Sequence, residues 1–411
     1  MYTILEGTPM HILRNSIVII FFSLILIATI AYARGYRLDV QKGTMTSTGI
    51  IAISSSPQAA QVYVNGALKG VTDLHLTLPH GKYTIEVKKE GYTSWKREVV
   101  LKGELVVTAD ATLFPLNASL TPLTTIGISK VISIDKTDKA LLFVENGDSE
   151  KDGIYVFDQT KRPFSLFPPL KLLVSKKLFP EDISLKDASV LFSPDFKQGT
   201  ILLKRGEDSV YYLISLEEEN TQLSEITSTQ ESLNNAWDSE RAIEIARLLE
   251  IFPLEFAKIA SDSFRIISLA PDKSKILYEA KQDITLPYVI EPRLVAANQT
   301  PEERSIKLEE LYVYDRKEDR NYHIILSEQS QKMKLAGDTV LTWFPDSRHL
   351  VEQEGGKISI IEYDDTSKQI IYSGPHEGSF FDVTSDGKLL ILANLNPQFN
   401  KTPDIYAVGI R

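Results

Sequence analysis

The sequence predicts a mainly β protein that one N-terminal helix anchors in a membrane. Three observations support this fold class: an uncharged apolar run near the N-terminus, short alternating strands between Gly and Pro turns, and a strand–turn–strand phrase that recurs through the C-terminal part. With 411 residues, the chain is long enough for two or three domains.

The composition excludes several classes of function. The formal net charge is -10, and no basic stripe offsets it, so a nucleic-acid partner is not expected. Cysteine is absent, which rules out disulfides, thiolate metal sites and a cysteine nucleophile.

The apolar run covers residues 15–33, which read NSIVIIFFSLILIATIAYA and carry no charge. At about 1.5 Å per residue, a helix of this length nearly spans a hydrocarbon core of about 30 Å. We therefore predict a short tail over 1–14, a single transmembrane span over 15–33 and a linker over 34–46. The membrane is the first predicted partner.

A cleaved signal peptide is the competing interpretation of the same run. Ala31-Tyr32-Ala33 has the small-x-small form that a signal peptidase cuts. We favour an uncleaved anchor, because the run is longer than a typical signal-peptide core and only Arg14 and the terminal amine supply positive charge before it.

The charges that flank the span give a weak signal about orientation. Arg14 precedes the span, whereas Arg34 and Arg37 follow it. By a margin of one charge, this bias favours a C-terminal part in the cytoplasm.

Residues 47–115 predict a small antiparallel β-sandwich. About six short runs of alternating or β-branched residues occur here, with turns roughly every ten residues. Asn65-Gly66 is the strongest hairpin signal, because both residues tolerate positive φ. A second turn surrounds Gly81, and we expect both Gly66 and Gly81 to adopt an unusual φ.

Two strings in this region, SSPQAAQVYVNGALKGVT and LPHGKYTIEVKKEGYTSW, resemble the PEGA domain family. The family pattern is S-x-P-x-G-A-x-V-Y-V-[ND]-G-x-x-x-G-x-T, followed by P-G-x-Y-x-[IV]-x-[VA]-x-K-x-G-Y. Ala59 and Asp73 depart from it, and His80 separates its Pro-Gly pair. The resemblance implies an interaction module of bacterial and archaeal envelope proteins, without catalytic residues, and it favours an extracytoplasmic C-terminal part. The predicted structural turn motif comprises Pro57, Asn65, Gly66, Gly70, Pro79, Gly81, Gly91 and Tyr92.

A phrase recurs through residues 124–411: an apolar pair, Pro-Asp or Ser-Asp, a polar turn and an apolar strand. The Asp is expected to accept hydrogen bonds from backbone amides two residues further on. One such unit cannot bury its strands alone, whereas radial stacking buries them, so we predict a β-propeller-like domain. The phrase resembles TolB-type and WD-like propellers. Its turn residues are Asp195, Asp272, Asp346 and Asp386, with a weaker copy at Asp135.

Two insertions interrupt the repeats. Residues 233–260 carry apolar side chains at helical spacing, with Asp238 or Ser239 as N-cap, and Pro253 ends or kinks this helix. The helix either docks a partner or packs on its own domain, and we favour packing because an amphipathic stripe usually faces its own core. Residues 289–307 predict a long polar loop of the kind that often binds ligands.

No nucleophile elbow, zinc helix or phosphate-binding glycine loop occurs in the sequence, and no cofactor is expected. The segment 146–153 resembles half of a calcium loop, but Gln159 stands where a bidentate Glu is needed, so an inter-strand turn is favoured. The charge run 316–320 predicts a solvated turn.

These observations predict a non-catalytic, single-pass module of the bacterial cell envelope that binds envelope proteins or a cell-wall polymer. The alternative is a hydrolase with its active site at the central mouth of the propeller, since propellers also host enzymes. A convergent cluster of Asp, Glu, Arg or His at the mouth would distinguish the two. A sensor is disfavoured, because the tail over 1–14 has no room for a signalling domain.

Overall fold

The computed structural model divides the chain into two compact units. The first runs to Leu113 and includes 297–299 from the 289–307 loop; the second begins at Phe114. The residues that the structure describes are 10–33, 36–39, 44–102, 105–134, 137–148, 150–158, 170–293, 298–335, 339–377, 380–398 and 401–410.

Helix α1 (Met10–Ala33) contains the predicted span. Its stretch Asn15–Tyr32 has a mean hydropathy of 2.3 and is not buried against protein, so α1 is long and apolar enough to cross a membrane. Large apolar side chains such as Phe22 and Leu26 are exposed on it. A helix that is apolar on every side is typical of a membrane span or of a signal sequence.

The first unit is a β-sandwich of two four-stranded sheets around one apolar core. One sheet has the order β1-β2-β5, with β8 also paired to β2, and the other has the order β4-β3-β6-β7. Neighbouring strands are antiparallel except for β2 and β8, which run parallel. The strands are β1 (Tyr36–Asp39), β2 (Thr44–Ser56), β3 (Gln61–Val64), β4 (Ala67–Val71), β5 (Leu74–Pro79), β6 (Gly81–Lys88), β7 (Trp95–Leu101) and β8 (Val106–Thr112).

Alternation along these strands builds the core. Ile51 and Ile53 of β2 and Ile85 and Val87 of β6 point inward, and Trp95 at the start of β7 is fully buried among them. Each of these strands thus buries one face, as the period of two requires.

Five of the eight turn-motif residues lie at connections between these strands, and the other three lie inside strands or at their ends. Asn65 (φ 49°) and Gly66 (φ 80°) form the turn from β3 to β4, and Gly91 has a φ of 79°. The expectation for Gly81 is wrong. It opens β6 opposite Leu101 and has no positive φ, because the single residue His80 connects β5 to β6. Of the others, Pro57 follows β2, Gly70 lies in β4, Pro79 ends β5 and Tyr92 packs on the core.

The second unit is a β-propeller-like domain. Its described residues form five four-stranded antiparallel sheets, which we call blades one to five, and a two-stranded ribbon. The first four blades are sequential, and the fifth joins β9 to the three C-terminal strands. Blade one consists of β10 (Lys130–Ile134), β11 (Lys139–Val144), β12 (Gly153–Asp158) and β13 (Leu170–Ser175), and blade two of β14 (Ser189–Phe192), β15 (Gln198–Arg205), β16 (Asp208–Ser215) and β17 (Ser224–Glu225). Blade three consists of β18 (Phe264–Leu269), β19 (Lys275–Ala280), β22 (Leu311–Asp315) and β23 (Arg320–Ile324), and the ribbon β20 (Ile284–Thr285) and β21 (Ser305–Ile306) lies between β19 and β22 in the chain. Blade four consists of β24 (Leu341–Trp343), β25 (His349–Gln353), β26 (Ile358–Glu362) and β27 (Gln369–Tyr372), and blade five of β28 (Phe381–Val383), β29 (Leu389–Ala393), β30 (Asp404–Gly409) and β9 (Ser119–Pro122).

The blades close into a ring. Strand β9 pairs antiparallel with β30, so residues from both ends of this unit complete blade five. Four of the five blade boundaries share an apolar core, as the pairs Leu141–Ile201, Leu277–Leu350, Ile360–Ile391 and Leu390–Leu142 show. At the boundary between blades two and three, helices pack on blade three instead.

Helices α2 (Gln230–Leu249) and α3 (Leu254–Ser263) occupy the chain between blades two and three. The predicted insertion over 233–260 is therefore two helices, and the predicted N-cap at Asp238 or Ser239 is wrong, because α2 already begins after Thr229. The first two turns of α2 are polar except for Leu233 and lack the apolar spacing that marks a helix in sequence. Pro253 precedes α3, where its fixed φ suits a helix start.

The remaining regular elements are a 3₁₀ turn at Lys176–Leu178 and helix α4 (Glu328–Leu335) between blades three and four. Helix α4 is mostly polar, so its sequence carries no amphipathic signal.

We predict that an isolated fragment of residues 47–115 folds and unfolds cooperatively, because all residues of its apolar core lie within this fragment. In this fragment, Gly66→Val should lower the free energy of unfolding by more than about 1 kcal/mol, since a β-branched residue is strained at positive φ. No atom lies near the added Cβ, so the effect reports backbone strain alone. Urea denaturation measures it. Gly66→Asn is the matched control and should cost less, because Asn tolerates this φ; equal midpoints for Gly66→Val and the unmodified fragment would remove the turn assignment.

Candidate binding surface

The four repeat aspartates lie at one end of the second unit. In each blade that carries one, the residue sits in the turn between the first and second strands, and turns between third and fourth strands lie at the same end. We call this the turn end. The weaker copy at Asp135 lies outside the described residues.

Each repeat aspartate is committed to its own turn. Asp195 Oδ1 accepts a hydrogen bond from the Lys197 amide (3.1 Å), and Asp272 Oδ1 accepts one from the Ser274 amide (2.9 Å). Asp346 Oδ1 accepts from the amides of Arg348 and His349, and Asp386 accepts from the Thr384 hydroxyl. These carboxylates fix backbone geometry.

Electrostatics keep Asp195 and Asp272 ionised. Hydrogen bonds from Ser193 and from the Lys197 amide hold the pKa of Asp195 below its ordinary value. Burial alone would raise the pKa of Asp272, but hydrogen bonds from Ser274 and Lys317 outweigh it and lower this pKa to about 2. Carboxylates that stay ionised and hydrogen-bonded to backbone amides are poor candidates for general acids at neutral pH.

The turns also join neighbouring blades. The Asp272 amide in blade three donates to Ser347 Oγ in blade four (2.9 Å). Lys275, which is buried, lies 3.6 Å from Asp315 and 4.4 Å over the Tyr363 ring of blade four. The turn end therefore serves assembly of the ring.

The same type of contact joins blades five and one. The amide of Ser385, which precedes the repeat aspartate Asp386 in blade five, donates to Asp138 Oδ1 in blade one at 3.3 Å.

Asp319 organises the 289–307 loop. Its Oδ2 accepts hydrogen bonds from the amides of Val289 (2.8 Å) and Ile290 (3.1 Å). Its Oδ1 accepts from Arg304 Nη2 (3.0 Å) and from the Tyr314 hydroxyl (3.0 Å). All four donors come from the loop or from blade three, so one carboxylate fastens the loop to the blade.

The expectation of a solvated turn over 316–320 is wrong for Asp319. Its side chain is 5% exposed and pairs with the Arg304 side chain, which is 9% exposed. A charge run predicts a solvated turn only when its partners are water, and here the partner lies 15 residues earlier in sequence. The loop carries three basic residues, Arg293, Arg304 and Lys307, and nothing in the sequence singles out Arg304 as the partner of Asp319.

Further contacts fix the loop along its length. The Asn321 side chain donates to the Glu303 carbonyl oxygen (2.7 Å), and Thr300 Oγ1 donates to Asp364 (2.6 Å). Asn298 and Gln299, which belong to the first unit, accept hydrogen bonds from Arg97 and from the Val100 amide. These bonds fix the described loop residues within the unit to which each belongs.

The segment 146–153 forms a hydrogen-bonded turn. Asp152 accepts from the amides of Asn146 (2.8 Å) and Gly147 (2.9 Å), and Asp148 accepts from the Glu150 amide. Both carboxylates point into the backbone of the turn. Gln159 lies outside the described residues.

A buried carboxylate connects α4 to blade four. Glu352 is fully buried and accepts from the Ser330 hydroxyl (2.7 Å) and from Lys368 Nζ (2.6 Å). Asp365 lies in the following hairpin and accepts from the Ile325 amide (3.3 Å). Burial raises the pKa of Asp365 to about 6, and the charge of Glu352 adds to this shift.

The helical insertion has an inner and an outer side. Leu249, Phe252 and Phe256 pack into the core with blade three, as the packing interpretation expects. Ile243 and Leu254 are 60% and 71% exposed. These outer apolar side chains are the part of the insertion that could contact a partner.

Among the described residues, no group of three or more His, Asp or Glu side chains is placed to hold a metal ion. The described histidines of the second unit lie apart, and each has a local partner: His323 with Glu310, His349 with Asp346 and His376 with the Gly374 carbonyl oxygen.

One known domain family matches part of the chain. The PEGA domain family matches residues 48–117, so this stretch of the first unit is a PEGA domain. No curated protein matches the chain.

Solved structures with some similarity include proteins described as TolB. The TolB of Agrobacterium tumefaciens is 13% identical over 62% of this chain and 66% of its own length, with a TM-score of 0.21. The TolB of Acinetobacter baumannii is 10% identical over 79% of this chain and 59% of its own length, with a TM-score of 0.22. A protein described as a 6-phosphogluconolactonase from Bacteroides uniformis is 12% identical over 81% of this chain and 89% of its own, with a TM-score of 0.19. This chain thus spans 66% of one TolB and 59% of the other. At such scores the blade topology alone carries the propeller assignment.

We predict that Asp319→Ala destabilises the second unit by roughly 3 kcal/mol or more, because it leaves a buried guanidinium and two loop amides without their acceptor. Urea unfolding of the full chain measures the change. Glu291→Ala is the matched control in the same loop: this carboxylate is exposed to solvent, so the midpoint of the variant should stay near that of the unmodified protein. Equal midpoints for both variants would show that Asp319 does not fasten the loop.

We also predict a pH-dependent effect of Asp365→Asn. The folded pKa of about 6 exceeds the ordinary value of 3.8, so the native protein loses stability as pH rises from about 4 to about 6. The neutral Asn avoids this loss and should be more stable by roughly 1–2 kcal/mol at pH 7, but equal at pH 3.5. Melting curves across this range test it, and a difference that does not vary with pH would contradict it.

Proposed function

We propose that this protein is a membrane-anchored binding module of the cell envelope, in which α1 holds the chain in the membrane and the propeller presents a recognition surface outside it. The observation that carries the proposal is the exposed apolar helix α1 joined, within a few residues, to the strand ribbon of a PEGA-containing unit. PEGA domains are typically extracytoplasmic, which outweighs the one-charge bias of the flanks.

The propeller suits binding because its blades are locked together before any ligand arrives. Turns of neighbouring blades are hydrogen-bonded to each other, through the amide of Asp272 and the carboxylate of Asp138, and Asp319 holds the 289–307 loop in place. A rigid scaffold with attached loops loses little entropy when it binds. Envelope proteins or a cell-wall polymer are the partner classes that the location allows, and the outer side of the helical insertion, with Ile243 and Leu254, is the proposed contact.

The location is tested by protease treatment of intact cells. We expect fragments of the second unit to be released from whole cells, or from spheroplasts where an outer membrane is present. A cytoplasmic protein that is cut only after lysis serves as control. Survival of the second unit until lysis would place it in the cytoplasm and end the envelope proposal.

The anchor is tested separately by the N-terminus of the mature protein. We expect residues 15–33 to remain, because the apolar run is longer than a typical signal-peptide core. Mass spectrometry of the membrane-extracted protein measures this, and a chain that starts at Arg34 would show cleavage after Ala33.

A further inference from the structure

The first unit has an open cavity of about 460 Å³ where several strands end. It lies where the β1–β2 ribbon meets the sandwich, and we call this region the anchor end. Its lining combines basic and apolar side chains: Ser47, His80, Gly81, Lys82, Val100, Leu101 and Lys102.

The anchor end is close in sequence to the membrane span. Tyr32 ends the candidate span, and Tyr36 is the first residue of β1. Four residues can extend by at most about 14 Å. Tyr36 pairs directly with Ser47, which lines the cavity. The cavity is therefore within about 20 Å of the end of the span, given an inter-strand spacing of about 5 Å.

The connection from β7 to β8 is packed tightly against β2 at this end. The Ile50 amide donates to the Leu105 carbonyl oxygen (3.0 Å). A Cβ on Gly49 would collide with Leu101 and with the carbonyl oxygens of Lys102 and Leu105, so only glycine permits this approach. Lys102 is thereby held beside the cavity. Gly103 and Glu104 lie outside the described residues.

Exposed apolar side chains lie at this end on both sheets of the sandwich. Val106 pairs with Ile50 in the parallel ladder, and both face outward from the first sheet, next to the buried Ile51 and Val107. Val100 pairs with Lys82 and faces outward from the second sheet, on the other side of the core. Leu105 is exposed just before β8. Exposed apolar residues beside basic ones are typical of a surface that lies at a lipid interface.

The charge at this end is mainly positive. Lys82 pairs with Glu98, whereas the amine of Lys102 and the ring of His80 add to the cavity wall. This balance contrasts with the net charge of -10 of the whole chain and favours an anionic neighbour.

We propose that the anchor end binds the phosphate of anionic lipid headgroups in the bilayer that α1 crosses, with Lys82 and Lys102 on the phosphate and Val106, Leu105 and Val100 against the acyl boundary. This rests on the proposed anchor. A second contact with the bilayer would restrict how the PEGA-containing unit moves about its linker.

The sequence contains no cysteine, so a single introduced cysteine allows a fluorophore to be attached at one site only. Full-length Val106→Cys, labelled with a polarity-sensitive fluorophore, is placed in nanodiscs of phosphatidylcholine with or without phosphatidylglycerol. Val71→Cys is the matched control: Val71 and Val106 are 52% and 64% exposed. Val71 lies level with Lys88 of β6, seven residues from Gly81 at the cavity, which is about 23 Å along the strand.

We expect a blue shift for the Val106 probe in discs that contain phosphatidylglycerol and none for the Val71 probe. In the Val106→Cys background, Lys82→Gln and Lys102→Gln should each lower the ratio of bilayer-bound to free probe roughly fivefold. Lys69→Gln, an exposed lysine of β4, should leave the ratio unchanged.

The outcomes separate this inference from the anchor. Failure of the unlabelled chain to enter discs overturns the anchor and this proposal with it. Entry without a difference between the two probes overturns the headgroup contact alone. A blue shift that is equal in phosphatidylcholine and insensitive to both lysines overturns phosphate recognition. A shift on adding soluble polyphosphate to phosphatidylcholine discs assigns the site to a soluble polymer and overturns the lipid.

Discussion

Closure of the second unit by β9 and β30 is the constraint on which the rest of the structure depends. An open row of blades would leave the faces of blades one and five without partners, and both are built from buried apolar strands. Asp404 secures this closure. Its Oδ1 accepts hydrogen bonds from Thr124 Oγ1 (2.9 Å) and from the amides of Ile126 (3.0 Å) and Gly127 (3.2 Å). The side chain is 8% exposed, so these bonds form in a region with little competition from water.

The closed ring determines what the insertions can do. Helices α2 and α3 fill the boundary between blades two and three, where Arg241 donates to the Phe192 carbonyl oxygen and Phe256 stacks on Tyr314 at 3.8 Å between ring centroids. The 289–307 loop is tied to blade three through Asp319. Both insertions thus stiffen the ring, and recognition is left to the outer side of the helices and to exposed loops. This is why the proposed function is binding by a preformed surface.

Much of the fold could be predicted because its signals are local. The apolar run of α1, the Asn65-Gly66 turn and the Pro-Asp phrase each follow from a few neighbouring residues. The closure could not be predicted, since β9 has no phrase of its own and Asp404 bonds to residues nearly the whole unit away. The predicted start of helix α2 lies too far along the chain, because the first turns of this helix are polar. The burial of Asp319 could not be predicted, because its partner Arg304 is remote in sequence. The anchor end combines residues from β2, β6 and β7, and no single segment of sequence shows it.

The most direct test of the closed ring is a disulfide across the closing strands. Thr121 and Ala407 are paired residues of β9 and β30, at a separation that suits a disulfide. The double variant Thr121→Cys/Ala407→Cys should form one intramolecular disulfide on mild oxidation. Its melting temperature should rise, because the bond closes a long loop. Thr121→Cys/Tyr406→Cys is the control, since neighbouring residues of a strand point to opposite faces. If the first pair fails to cross-link in the folded protein, or cross-links no more than the control, β9 and β30 do not close the ring.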